Sequence, residues 1–109
     1  MANTFISKTK ADIGAVASTI YTVPASTTSV VIGFNLTNTT SSSITADVQI
    51  IKNGVADDVY LIKGLEIPTG TLYDFNAGNK IILEESDYID VTSSASSSLD
   101  VIVSILEQT

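Results

Sequence analysis

The chain has no cysteine, no histidine, no tryptophan and no arginine, and only two prolines. Without cysteine there are no disulfides, thiolate zinc sites or cysteine nucleophiles. Without histidine the commonest general base and the commonest metal ligand are missing. Five lysines stand against twelve acids, a formal charge of −7. An acidic chain lacking guanidinium forks repels phosphate backbones, so direct nucleic-acid binding is not expected. No apolar run approaches the ~20 residues of a membrane-spanning helix. The opening Met1-Ala2-Asn3-Thr4-Phe5 lacks the basic and apolar blocks of a secretory signal. These absences predict a soluble chain that folds in a reducing cytoplasm, with no cofactor, no metal and no membrane partner.

What is present is extended structure. At 109 residues and 44% hydrophobic content, the chain predicts one domain over residues 1–109, with 1–17 as an N-terminal edge strand or arm. About a quarter of the residues are Ser or Thr, which suits strand surfaces and β-connections. The organising stretch is Ile81 to Leu106: strand, acidic turn, strand, serine loop, long strand. Leu99, Val101, Val103 and Ile105 share one face of the last strand by the period of two. Ile102 and Leu106 lie on the other face, which predicts a central strand covered on both sides.

Upstream, residues 4–10 alternate and carry two lysines, as an edge strand would. Asp12 to Ala17 reads as a loop, and Thr19 to Val23 as a strand stopped by Pro24. Val30, Ile32, Phe34 and Leu36 are expected on one face of the next strand. Ile44, Ala46, Val48 and Ile50 share a face after the polar connection 38–43. Asn53-Gly54 is a hairpin signal, with Val59 to Lys63 as partner strand and Asp57-Asp58 lengthening the loop. Leu72 to Phe75, a turn at Ala77-Gly78-Asn79, Lys80 to Leu83 and Tyr88 to Thr92 complete the set. Val23-Pro24-Ala25-Ser26-Thr27 is echoed by Ile67-Pro68-Thr69-Gly70-Thr71, either as recurring turn chemistry or as equivalent corners of two sheets. No helical periodicity is visible. The expected fold is all-β: an antiparallel β-sandwich of jelly-roll or Greek-key type, with eight to nine short strands and essentially no helix.

Several strands carry aliphatics on the face that should be wet: Val31, Ile51, Ile62, Ile82, Ile102 and Leu106. Burying each is worth about 1.5–3 kcal/mol, roughly 9–18 kcal/mol together, against about 5–15 kcal/mol for the net stability of a typical domain. Leaving all of them exposed is improbable. Either bulges return some of them to the core, or they form a subunit interface, a closed homotrimer being one solution.

No motif names a reaction. Glu84-Glu85-Ser86-Asp87, with Asp90 nearby, could offer oxygen ligands to calcium, but lacks the D-x-D-x-D-G pattern; a solvated turn is the expectation there and at Asp57-Asp58. Paired carboxylates without a tryptophan platform make a poor glycosidase. No serine sits in G-x-S-x-G, and no histidine exists to activate one. The sequons Asn35-Leu36-Thr37 and Asn38-Thr39-Thr40 are expected to be accidental, since no signal peptide is read at the start of the sequence. Phe5, Tyr21, Phe34, Tyr60, Tyr73, Phe75 and Tyr88 could stack on sugars or bases; scattered as they are, they are expected to serve as core members and strand caps.

Three segments resemble a pattern found in small virion proteins of tailed bacteriophages: Thr19-Ile20-Tyr21-Thr22-Val23-Pro24-Ala25; Val31-Ile32-Gly33-Phe34-Asn35-Leu36-Thr37-Asn38-Thr39-Thr40; and Leu83 to Ser94 running on to Val101-Ile102-Val103-Ser104-Ile105-Leu106-Glu107. Many such proteins place glycine before the aspartate of the last segment, where this chain has Ser86. The resemblance spans most of residues 18–107. It implies an all-β, often trimeric protein of the assembled particle: a capsid decoration (cement) protein bound to the major capsid protein, or a neck or tail accessory. It carries over no catalytic residue. A carbohydrate-binding or adhesin module is the rival class. An adhering, non-enzymatic virion component made in the host cytoplasm is the expectation.

Overall fold

The computed structural model describes residues 2–52, 56–74 and 80–109. Among them the chain is all strand and turn: β1 (Asn3–Ile13), β2 (Ser18–Thr22), β3 (Thr28–Asn38), β4 (Ile44–Ile51), β5 (Val59–Ile67), β6 (Leu72–Asp74), β7 (Ile81–Leu83), β8 (Tyr88–Ser93) and β9 (Leu99–Gln108). One sheet, here sheet A, has the order β1-β9-β3-β6, with β7 also pairing β3; the other, sheet B, has the order β2-β8-β4-β5. All pairings are antiparallel. β6 lies along Asn35–Thr37 of β3 and β7 along Ser29–Val31, both in the same direction, so they are two pieces of one edge strand. Counted that way, two four-stranded sheets alternate along the chain as a jelly roll does. The expected architecture is the one observed.

The echoed segments prove to be equivalent corners. Val23-Pro24 carries the chain from β2 in sheet B to β3 in sheet A, and Ile67-Pro68 carries it from β5 in sheet B to β6 in sheet A. Both anchors, Val23 and Ile67, are buried. Each turn contains a left-handed residue, Ser26 at φ 56° and Gly70 at φ 67°, and each is closed by a threonine hydroxyl donating to a carbonyl, Thr27 to Ala25 and Thr71 to Pro68.

The core lies between the sheets. Leu99, Val101, Val103 and Ile105 of β9 face it, as do Ile44, Ala46, Val48 and Ile50 of β4 and Ile89 and Val91 of β8. Two face assignments need correction. In β3 the register against β9 shifts between Val31 and Gly33. One extra residue inverts the alternation, so Val31 is 1% exposed and joins Phe34 and Leu36 in the core, while Ile32 turns out. In β5 the register slips on both sides of Val48. Ile62 stands opposite Val48 and packs against the core. Gly64, at φ 65°, supplies the left-handed residue of that irregular stretch, and its N–H is held by Asp47 Oδ1 at 2.7 Å.

Boundaries differ most at two places. β1 and β5 run on to Ile13 and Ile67, past the expected ends. The Asn53-Gly54 hairpin signal, the turn at Ala77-Gly78-Asn79 and Phe75 lie outside the described residues.

One buried polar residue ties the corner at 67–71 to the polar connection. Asn38 is 0% exposed. Its Nδ2 donates to the carbonyls of Ile67 (2.9 Å) and Ser42 (2.8 Å), and its Oδ1 accepts from Thr40 N (2.9 Å) and Thr40 Oγ1 (2.8 Å). A side chain so committed is no glycosylation acceptor. We predict that Asn38→Ala lowers unfolding stability by about 2–4 kcal/mol, because buried carbonyls lose their donors; urea titration followed by circular dichroism measures it. A change below about 0.5 kcal/mol would contradict the hub assignment.

Candidate functional site

The residue pattern that carries the site is a row across sheet A. Phe5 pairs with Leu106, Leu106 with Val30 and Val30 with Ile82, so four apolar side chains on β1, β9, β3 and β7 stand abreast. Partners in an antiparallel ladder share a face, and here it is the face away from sheet B. Phe5 is 73% exposed and Ile82 64%, with Leu106 and Val30 half-buried between them. Four residues back along β9 from Leu106, on the same face, Ile102 is 41% exposed, and Ile32 at the bulge of β3 is exposed as well. β9 is central in its sheet as expected, but its outer face is not covered by any other part of the described chain.

The six aliphatics singled out by pattern therefore divide. Ile82, Ile102 and Leu106 lie on this outer face. Ile51 is half-buried, paired with Tyr88 at the end of β4 in sheet B. Val31 and Ile62 belong to the core for the bulge reasons given above. Phe5 and Val30, which complete the row, lie outside that set: Val30 follows from Val31 by moving one residue at the bulge, and Phe5 reads in the sequence as one of the scattered aromatics.

Beside the row, Thr9, Lys10, Asn35, Thr37, Asp100 and Ile102 line a shallow depression of about 250 Å³ that no aromatic ring enters. The aromatics separate more than expected. Tyr21 and Phe34 are buried, whereas Phe5, Tyr60 and Tyr73 are exposed on β1, β5 and β6. The Lys63 ammonium sits 4.5 Å from the centre of the Tyr60 ring.

The carboxylates are mostly engaged by the chain itself. At the acidic turn, Asp87 Oδ2 accepts from Glu84 N (2.8 Å) and from Lys52 Nζ (2.5 Å), and Glu84 Oε1 lies 3.3 Å from the same ammonium. A lysine thus occupies the place a cation would take. Ser86 adopts φ 72°, the conformation glycine favours, and the turn still closes through Ser86 N to Val23 O (3.1 Å) and Val23 N to Asp87 O (2.9 Å). Asp58 Oδ1 accepts from Lys52 N at 2.8 Å. Among the described residues, no group of three or more acids gathers as a metal site would require.

A buried polar link joins the two sheets at one end of the core. Tyr21 Oη of β2 donates to Glu107 Oε2 of β9 (2.5 Å) and accepts from Ser29 Oγ of β3 (2.7 Å). Burial first, and then the bond to Glu107, push the Tyr21 phenol up from 10.0 to about 12.

No protein-family model matches the chain, and no curated protein matches it. Solved structures do. A chain of the Bacillus endospore appendages, described as disulfide-linked pili, superposes with a TM-score of 0.58 at 13% identity, over 99% of this chain and 87% of that one. A chain of the T13 particle of infectious bursal disease virus superposes with a TM-score of 0.56 at 16% identity, over 96% of this chain. The present chain spans only 30% of that viral chain. At such identities the likeness establishes the fold.

The Tyr21 link gives an alkaline signature. Between the ordinary phenol value and about 12 the folded state keeps a proton that the unfolded state releases, so stability falls as pH rises through that window. Lys52, raised by its bond to Asp87, likewise contributes below its unfolded value and loses that contribution as pH rises through its folded one. We predict that, of the four tyrosines, one ionises only near pH 12 in a spectrophotometric titration, and that Tyr21→Phe removes that late step and flattens, without abolishing, the alkaline loss. Four tyrosines titrating together near pH 10 would contradict the link.

Proposed function

We propose that this protein is a non-enzymatic structural subunit that works by adhesion in an assembled particle, and more specifically that it is a capsid decoration (cement) protein of a tailed-phage virion. The observation that carries the reading is the apolar row Phe5–Leu106–Val30–Ile82, left open on the outer face of sheet A. Removing such side chains from water is worth about 25 cal/mol per Å², and a soluble subunit that keeps them abreast on one face has a use for that energy. The fold it shares with chains of a pilus and of a viral particle supports an assembling role, as does the resemblance of its strand and turn segments to tailed-phage virion proteins.

The partners on this reading are further copies of the chain, a trimer being the favoured closed form, and the major capsid protein. The chain has no cysteine, so disulfide linkage of the kind described for the pilus is closed to it, and its contacts are non-covalent. A protein that binds only the assembled shell stabilises it by mass action, and repetition of the site makes modest contacts effective. Neck or tail placement is the second reading; it predicts a copy number per particle set by a ring instead of by the shell surface.

Size-exclusion chromatography with light scattering tests the association. We expect an oligomer that weakens at least tenfold in Ile82→Asp, with unfolding stability changed by no more than about 1 kcal/mol because the side chain is already 64% exposed. Mass-spectrometric copy number in purified particles then separates shell from ring. A wild-type chain that stays monomeric at high concentration and never copurifies with particles would overturn the reading.

A further inference from the structure

We infer that copies of this chain join edge to edge through sheet A, with β7 of one subunit adding to β1 of the next, and that Ile82 stands beside Phe5 of the neighbouring copy. The inference rests on the assembling role proposed above and specifies its contact.

Three observations carry it. First, both edges of sheet A end in matching apolar positions. On the outer face the row runs Phe5–Leu106–Val30–Ile82; on the inner face the adjacent row runs Ile6–Ile105–Val31–Ile81. Setting Ile82 opposite Phe5 of the next copy sets Ile81 opposite its Ile6, so both rows continue across the junction. The two most exposed members of the outer row, Phe5 and Ile82, are its two ends.

Second, the strand directions permit it. β1, β9, β3 and β7 alternate in direction, so β7 runs opposite to β1. A second copy in the same orientation therefore presents β1 antiparallel to β7, the pairing that ladder geometry requires. Such a contact is head-to-tail: it closes into a ring, the trimer included, or winds into a filament. Sheet twist of about 20–25° per strand turns each added copy away from a flat ribbon.

Third, the charges favour unlike edges. β1 holds Lys8 and Lys10, two of the five lysines, and no acid precedes Asp12. The far edge and the turn that follows it carry Asp74, Glu84 and Glu85 against Lys80. Pairing β1 with β1 would bring four lysines to one junction of two copies, whereas pairing it with the far edge sets the basic strand against an acidic one. The edges of sheet B are less suited: β2 carries a register shift against β8, and β5 slips twice against β4.

The cysteine-free chain makes the contact directly testable. Phe5→Cys/Ile82→Cys is prepared with each single variant, its fold is checked by circular dichroism, and it is oxidised at concentrations where the wild type associates. Positions 5 and 82 stand three strands apart, roughly 14 Å, too far for a disulfide within one subunit. The expected result is a ladder of disulfide-linked multimers from the double variant, and from neither single variant, on a non-reducing gel. Dimers from Phe5→Cys alone would show that like edges pair and overturn the inference. Absence of any cross-link, while light scattering still shows association, would also overturn it and leave the outer face as the contact. A wild type that does not associate at all would overturn the inference, and the functional reading would fall with it only if the chain also never copurifies with particles.

Discussion

Each strand of a sheet has two faces, and in β9 both carry aliphatic side chains. Its inner side chains Leu99, Val101, Val103 and Ile105 are buried against sheet B, and that burial fixes the strand in the middle of sheet A, between β1 and β3. Once it is fixed, Ile102 and Leu106 must point away from the core, because side chains alternate along a pleated backbone. The open apolar surface is thus a geometric consequence of the strand that builds the core. Reversing β9 would move the problem from one face to the other without removing it.

The polar interior has been arranged to hold the corners of the sandwich. Asn38, the Tyr21–Glu107–Ser29 link and the contact between Ser93 Oγ and Ser98 Oγ (2.5 Å) sit where the chain leaves one sheet or where the sheets meet. Unmade hydrogen bonds are costly where water cannot enter, so these groups specify how the corners close. Lys52 acts similarly at the acidic turn, spanning Asp87 and Glu84. Side chains that a search for chemistry would pick out are thereby engaged in structure.

Much of this was legible in the residues. β4 begins and ends where alternation predicts, β1 is an edge strand as its lysines suggest, and the acidic turn reverses the chain into β8. The open apolar row was only partly legible. Ile82, Ile102 and Leu106 were identified by their phase against a buried neighbour, and that phase is local. Val31 and Ile62 were misplaced because a bulge inserts one residue, and the segments around Ile32 and Gly64 give no turn signature strong enough to reveal it. Phe5 is not legible as a member of the row, because nothing around it in the chain distinguishes an exposed aromatic from a buried one.

What the sequence by itself determined is the set of strands, the turns among the described residues and the exclusion of cysteine and histidine chemistry. These depend on neighbours within a few residues: the period of two, the residues that tolerate a turn, and the presence or absence of a functional group. Tertiary structure alone decided which face of β3 and β5 is buried, and that Phe5, Leu106, Val30 and Ile82 stand abreast. Those facts depend on register between strands far apart in the chain, where a shift of one residue exchanges inside for outside.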